Sequence, residues 1–322
     1  MNTLCLGIDI AQHSLVAALR FDQQLFRTAQ FPNHGGGFRQ LRTWLKQQGV
    51  GLVRVGLEST STYGEALAYW LHAEGHCVYL LNPERVACYA RSLGQRNKTD
   101  PADAATIAAF VAQHQGTPWQ PPSPEQKTLR SLTRTRQQLV ETAVQLRNQC
   151  RTAEAPARVH LQNVLAHLCT ELRHLAQEIA AHLRAHPALD TAVRRLMTVK
   201  GIGLTTAAVV LAELPPIGPQ SDPRAICAWA GLTPRRRQSG RTEWRTHLSR
   251  KGNTYLRQAL FMPAMVAKRF NPLLRDYAQR LAANGKSHGA ILGALSHKML
   301  RIIVGLLRTN TDFDPNWSFK KG

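Results

Sequence analysis

A chain of 322 residues with 43% hydrophobic content can bury two modest cores, so two domains and a connector are expected. Its 41 Lys and Arg against 20 Asp and Glu give a formal charge of +21, a field that draws polyanions, nucleic acid before anionic membrane. No long apolar span is read, and MNTLCLGIDI has no basic region ahead of its apolar stretch, so a signal peptide and a membrane partner are excluded and a cytoplasmic location is expected.

Along the chain, apolar runs at 4–8, 15–19 and 25–31 suggest three strands in a meander, the first closed by Asp9. Phe38, Leu41, Trp44 and Leu45 then recur at helical spacing, with Gly49 as a stop. A fourth strand over 52–57 delivers Glu58, a helix covers 63–74, Gly75 breaks it, and 77–81 makes a fifth strand before Asn82-Pro83 turns into further helix. The order βββαβαβα is that of the ribonuclease-H-like fold. There the first and fourth strands are neighbours, so Asp9 and Glu58 should emerge side by side, facing acids of a later helix. Asp100 and Asp103, three apart, share one side of such a helix.

This α/β domain is placed at 1–116, and a Pro-rich linker at 117–126 follows it. Over 127–188, Leu129, Leu132, Leu139, Ala143 and Leu146, and then Leu161, Leu165, Leu168, Leu172, Leu175 and Ile179, step by threes and fours. Two heptad helices interrupted by Pro156 would fold as an antiparallel coiled-coil hairpin, its seam open to another subunit or to its own core. An all-α domain at 189–308 follows, then a tail at 309–322 that reads as loose. Within the all-α domain Val199-Lys200-Gly201-Ile202-Gly203 looks like a helix-hairpin-helix element, in which Lys200 and the glycines Gly201 and Gly203 let backbone N–H groups meet a phosphate. From Arg224 to Arg257 nine basic residues face Glu243 alone, which marks Arg235, Arg236, Arg237, Arg241, Arg245, Lys251 and Arg257 as nucleic-acid contacts. The six cysteines have no close pair, which argues against zinc knuckles and a disulfide framework.

Asp9, Glu58, Asp100 and Asp103 are the candidate metal ligands, because Mg²⁺ prefers oxygen donors and can hold a scissile phosphate in its open positions. Arg96 and Lys98 precede the helical pair and would meet the phosphate or offset the acids. Each acid has a structural alternative: Asp9 can begin a turn, and Asp100 before Pro101 fits a helix cap. Ser239, set among arginines, suits a nucleophile whose developing charge guanidinium groups would stabilise, though an ordinary phosphate-binding serine has the same surroundings.

Taken together, Gly7-Ile8-Asp9-Ile10, Leu57 to Tyr63, Asn82-Pro83, Arg96 to Ala104, and Ala230-Gly231-Leu232-Thr233-Pro234 through Ser239-Gly240 resemble, in order, the motifs of the DEDD-type transposases of insertion sequence family one-ten, relatives of the pilin-gene invertases. The chain departs from the family pattern after Glu58, where Ser-Thr-Ser-Thr stands in place of Ala-Thr-Gly-Thr. The resemblance implies a RuvC-like domain whose acids Asp9, Glu58, Asp100 and Asp103 bind Mg²⁺, with Mn²⁺ an admissible substitute, and a transposase domain whose nucleophile is Ser239. It further implies donor and target DNA, an element-encoded bridge RNA as guide, and a homo-oligomer: a dimer, or a dimer of dimers on DNA. The rival readings are a RuvC-like junction nuclease using water, an actin-like ATPase and a non-catalytic RNA-binding scaffold. The ATPase fits poorly, since Ala11-Gln12-His13 supplies no glycine-rich phosphate turn.

Overall fold

The computed structural model describes residues 4–21, 26–58, 62–94, 99–114, 116–235, 238–239, 242–243, 247–249 and 251–314. They belong to two compact units, Met1–Pro121 and Pro122–Gly322.

In the first unit, strand alternation sorts side chains onto two helical layers. Strands β1 (Cys5–Ile10), β2 (Ser14–Arg20) and β3 (Phe26–Pro32) form an antiparallel meander, while β4 (Arg54–Glu58) and β5 (Cys77–Leu81) add parallel to β1, giving the order β3-β2-β1-β4-β5. Leu6 and Ile8 of β1, Val55 and Leu57 of β4 and Val78 of β5 join the core of α1 (Gly35–Gln47) and α2 (Glu65–Ala73), which Phe38, Leu41, Leu67 and Leu71 fill from the helices. The intervening residues face α3 (Pro83–Ser92) and α4 (Asp100–Gln113), where Cys5, Tyr79 and Leu81 pack with Val86, Ile107 and Val111. This mixed sheet between helices agrees with the ribonuclease-H-like expectation.

Two glycines bring α4 down onto the sheet. A Cβ on Gly7 would lie 2.9 Å from the Ala108 Cα and would also strike the Ala104 carbonyl; one on Gly56 would lie 2.8 Å from Ile107 Cγ2. Any larger residue must push the helix off β1 and β4.

The second unit is helical. Helices α5 (Pro124–Thr152) and α6 (Ala155–Ala185) pair as a hairpin, followed by α7 (Pro187–Met197), α8 (Leu204–Glu213), α9 (Pro223–Trp229), α10 (Thr254–Phe270), α11 (Pro272–Ala283) and α12 (His288–Thr309). Ser123 caps α5 by accepting the Gln126 N–H at 3.2 Å, so the helix begins inside the stretch read as linker. The break between the two helices falls at 153–154, and Pro156 sits just after it in the first turn of α6, where its missing N–H costs nothing. The expectation of no long apolar span needs correction, because α12 is long and apolar enough to cross a membrane by length and composition. It is the central core helix here, with 61% of its most apolar window buried and Leu295, Met299, Leu300 and Ile303 sealed among the other helices. The tail is likewise not loose from its start: Phe313 packs on this core and its N–H donates to Thr198 Oγ1 at 2.9 Å.

Hydrogen bonds to the end of α8 fix the base of α5. Gln126 Nε2 donates to the carbonyls of Leu211 (2.7 Å) and Leu214 (2.8 Å), and Arg130 Nε to that of Ala212 (2.8 Å), satisfying acceptors a helix C-terminus leaves open. Next to them Glu213, only 2% exposed, takes two bonds from Arg134 (2.6 and 2.9 Å) and one from Asn253 (2.6 Å), while the Arg134 guanidinium lies 4.7 Å from the Tyr255 ring centre. Because Asn253 also caps α10, one carboxylate ties α5, α8 and α10 together.

Two consequences are measurable by urea or thermal unfolding. Gly56→Val should lower stability by about 1–3 kcal/mol through overpacking under α4. Glu213→Ala should cost about 3–5 kcal/mol, since Arg134 and Asn253 lose the group that satisfies them.

Candidate active site

The sheet register sets the first two acids. Ile8 of β1 pairs with Leu57 of β4, and Asp9 and Glu58 come one step later in each strand. Both are partly buried, and both lie two residues beyond a glycine that faces α4, so period-2 alternation puts their carboxylates on that same face. Asp9 is opposite Val16 of β2, which packs with Ala18 and Ala104. Asp9 Oδ1 also accepts the Ile10 N–H at 3.1 Å.

Helix periodicity sets the other two. The buried stripe of α4 is Ala104, Ile107, Ala108 and Val111. Stepping back four residues along its rows reaches Asp100 from Ala104 and Asp103 from Ile107, so the two acids head the rows that pack on the sheet. The cap is Thr99, whose Oγ1 accepts the Ala102 N–H at 3.4 Å; Asp100 is the first helical residue and does not cap. The helix N-terminus favours the negative charge of both. Asp100 is exposed and Asp103 partly buried.

Asp9 and Glu58 thus stand at two adjacent strand ends on the face that α4 covers, and Asp100 and Asp103 stand in the first turn of that helix. Among the described residues no three acids, histidines or cysteines stand close enough together to hold a metal ion as a preformed cage. The donor set itself, all carboxylate oxygen, matches Mg²⁺ or Mn²⁺ rather than a softer ion. Arg96 and Lys98 lie outside the described residues.

Ser239 belongs to a ribbon the sequence showed only as a basic loop. Its neck is a crossing of Gly231 (φ 74°) and Gly252 (φ 137°): a Cβ on Gly252 would lie 2.9 Å from the Ala230 carbonyl carbon, and one on Gly231 2.6 Å from the Lys251 oxygen. Only glycine tolerates both the angles and the approach. Beyond the neck the Ser249 N–H donates to the Thr233 carbonyl at 2.9 Å, β6 (Pro234–Arg235) pairs with β9 (His247–Leu248), and β7 (Gln238–Ser239) pairs with β8 (Thr242–Glu243). Ser239, opposite Thr242, is in the pair farthest from the neck. Arg235 and Lys251 are exposed; Arg236, Arg237, Arg241 and Arg245 lie outside the described residues. Arg257 donates to the Ala230 carbonyl (3.1 Å) and Thr254 Oγ1 (3.0 Å), so it braces the neck.

Between α7 and α8, Gly201 (φ 108°) turns the chain and presses it against α10, a Cβ there falling 2.9 Å from the Pro263 carbonyl oxygen. Lys200 and Gly203 are exposed, and Gly203 starts α8 with no side-chain cap. A cleft between α5, α8 and α10 opens beside this start, lined by Arg136, Gln137, Thr205, Thr206 and Gln258.

Residues 6–153 match the DEDD transposase family, and residues 193–279 match the transposase family of IS116, IS110 and IS902. The chain belongs to the IS110 transposase family. As a member it is a transposase, an enzyme acting on DNA. It is 28% identical over 319 residues to the pilin gene-inverting protein of Moraxella bovis, covering 98% of both chains. It is 28% identical over 260 residues to the transposase for insertion element IS1328 of Yersinia enterocolitica, covering 71% of this chain and 76% of that one. A probable family 20 transposase of Pseudomonas aeruginosa is 28% identical over 288 residues, with 77% and 82% covered. DEDD family enzymes use divalent metal generally.

Gly252→Val should leave the helical core folded yet dislodge the ribbon. Limited proteolysis is expected to cut between 234 and 251 at least several-fold faster than in the parent, with the far-UV spectrum unchanged.

Proposed function

We propose that this IS110-family transposase excises and inserts a mobile element by forming a covalent phosphoserine link to DNA through Ser239, with Asp9, Glu58, Asp100 and Asp103 holding Mg²⁺ or Mn²⁺ at the reacting phosphate. What supports this most is the shared α4 face of Asp9 and Glu58, with the helical acid pair heading the rows of the helix that covers it. The ion, when bound, supplies Lewis acidity at the phosphoryl oxygens. The four carboxylates position it, and the first turn of α4 offsets part of their mutual repulsion.

At the ribbon, the Ser239 Oγ–phosphorus bond forms as the bond from phosphorus to a deoxyribose oxygen breaks. In the balance, the serine proton ends on that released oxygen. Arg235, with Arg236, Arg237 and Arg241 beside it in sequence, spreads the charge of the pentavalent phosphorus. A deoxyribose hydroxyl of the new strand then reverses the reaction and frees the serine. One phosphodiester replaces another, so no external energy source is required.

A charge of +21 spread over Arg and Lys suits reading of backbone shape, with sequence choice left to base pairing by a structured guide RNA. Lys200, Gly201 and Gly203, in the turn before α8, act as a helix-hairpin-helix contact to a phosphate. The α5–α6 hairpin joins subunits as a coiled coil, and two dimers hold donor and target DNA together. The pilin gene-inverting relative carries inversion in its name; inversion and transposition require the same cut and rejoin.

The test is denaturing electrophoresis of labelled target DNA incubated with protein, co-purified RNA and Mg²⁺. A protein-linked DNA band is expected and should vanish in Ser239→Ala. Asp9→Asn and Asp103→Asn should each lower strand transfer by at least a hundredfold while DNA binding stays within about twofold. A link that survives Ser239→Ala, or cleavage without any link, would make water the nucleophile and the chain a RuvC-like nuclease. Full activity of both acid variants would leave only a binding scaffold.

A further inference from the structure

The cleft between α5, α8 and α10 takes no part in the chemistry above, yet its wall is charged. It lies within the helical unit and has a volume of about 130 Å³, wide enough for a phosphate group. Two of the three charges that line it satisfy each other: Glu213 takes both Arg134 bonds and a third from Asn253. The Thr133 hydroxyl is likewise engaged, donating to the carbonyls of Leu129 (2.9 Å) and Arg130 (3.2 Å).

Arg136 is the exception. It is partly buried, and its Nε is sealed from solvent with no hydrogen-bond partner among the described residues. Its own helix offers no counter-ion, because the residues three and four away are Leu132, Thr133, Leu139 and Val140. The other two walls offer none either: α8 has no acid besides Glu213, and α10 has none at all. Glu141, the next acid along α5, accepts from Gln137 Nε2 at 2.9 Å. A guanidinium donor withdrawn from water and left without an acceptor costs free energy, which an acceptor arriving in the cleft would recover.

The groups that share the cleft with Arg136 are donors too. Thr205 and Thr206 line it from the first turn of α8, and Gln258 lines it from α10. An anion with several oxygens can engage the planar fork of a guanidinium and neighbouring hydroxyls together, which is the geometry of phosphate. The cleft opens beside the exposed turn of Lys200 and Gly203, so a strand that passes this turn can reach it. A chain of charge +21 that acts on DNA meets such phosphates on its substrate.

We infer that the cleft between α5, α8 and α10 binds one backbone phosphate of DNA, with the Arg136 guanidinium as principal donor and Thr205, Thr206 and Gln258 around it. This phosphate is distinct from the one assigned to the Lys200 turn, since its main donor comes from α5. The contact is to backbone, so it carries affinity without sequence preference.

Fluorescence anisotropy with the full chain, duplex DNA and EDTA across a salt series tests this without cleavage, metal or guide RNA. Ser239 and Lys200 stay unchanged, so failure of the serine chemistry or of the turn contact would leave the result intact. In Arg136→Gln the slope of log K against log[salt] should become shallower by about 0.9, the share of one phosphate. Affinity at 0.1 M salt should fall about tenfold, equally for unrelated duplexes. Without DNA the variant should melt no lower than the parent, because a group that serves binding adds nothing to the fold. An unchanged slope in the folded variant would overturn the proposal, and a lowered melting temperature beside it would make Arg136 a packing residue. If Arg136→Gln does not fold, Arg136→Lys is read: it keeps the charge and loses the fork, so affinity should fall about threefold with the slope unchanged, and undiminished affinity would overturn the proposal. A loss confined to structured RNA would also overturn it, as would thermal stabilisation by inorganic phosphate that Arg136→Gln removes while the DNA slope stays the same.

Discussion

The close approach of α4 to the sheet governs the first unit. A helix normally rides on side chains; here its backbone descends onto Gly7, while its Ile107 and Val111 side chains fill the space that Gly56 leaves by offering no Cβ. In each strand the acid follows its glycine by two positions, Gly7-Ile8-Asp9 and Gly56-Leu57-Glu58, and period-2 alternation puts glycine and acid on one face. The glycines lower the helix and the same periodicity points the carboxylates at its first turn, where Asp100 and Asp103 already head the packed rows. The placement of two acids on the face under α4 and of two at the head of that helix thus follows from one contact and two periods, 2.0 and 3.6.

A parallel constraint operates in the helical unit, by charge instead of by shape. Glu213 is a buried carboxylate whose partners come from α5 and from the residue that caps α10. A buried pair of this kind is a poor source of net stability but sets geometry, because alternative packings would strand an ion. It sets the root of the α5–α6 hairpin relative to α10, and the neck of the serine ribbon, at Gly252 and Asn253, adjoins the start of α10.

How much of this was visible in the amino-acid order depended on how strongly each segment was patterned. The five strands were legible because apolar runs end at turns and acids, and the pairing of β1 with β4 followed from the connection order. The i, i+3 spacing of Asp100 and Asp103 showed they shared a helix side. It did not show that Thr99 would be the cap, since Thr99 and Asp100 both have suitable oxygens and only backbone geometry decides between them. The ribbon was hidden because its ladders are two residues long, too short for alternation to register. Pro156 marked the break between the two heptad helices but not its place, since α5 ends at Thr152 and the proline begins α6. The apolar run of α12 escaped notice because histidine, lysine and arginine punctuate it, and Glu213 because nothing in a sequence marks a charge that will be buried.

The two spacer glycines bear on how copies of such elements decay. Substitution at an acid is easily recognised as inactivating, and a genome survey that checks the four carboxylates and the serine would score a copy retaining them as competent. Yet a copy that gained even a valine two places before Asp9 or Glu58 would keep every reactive group and lose their common footing. Bulk at those two positions should therefore be counted among the lesions that silence an element.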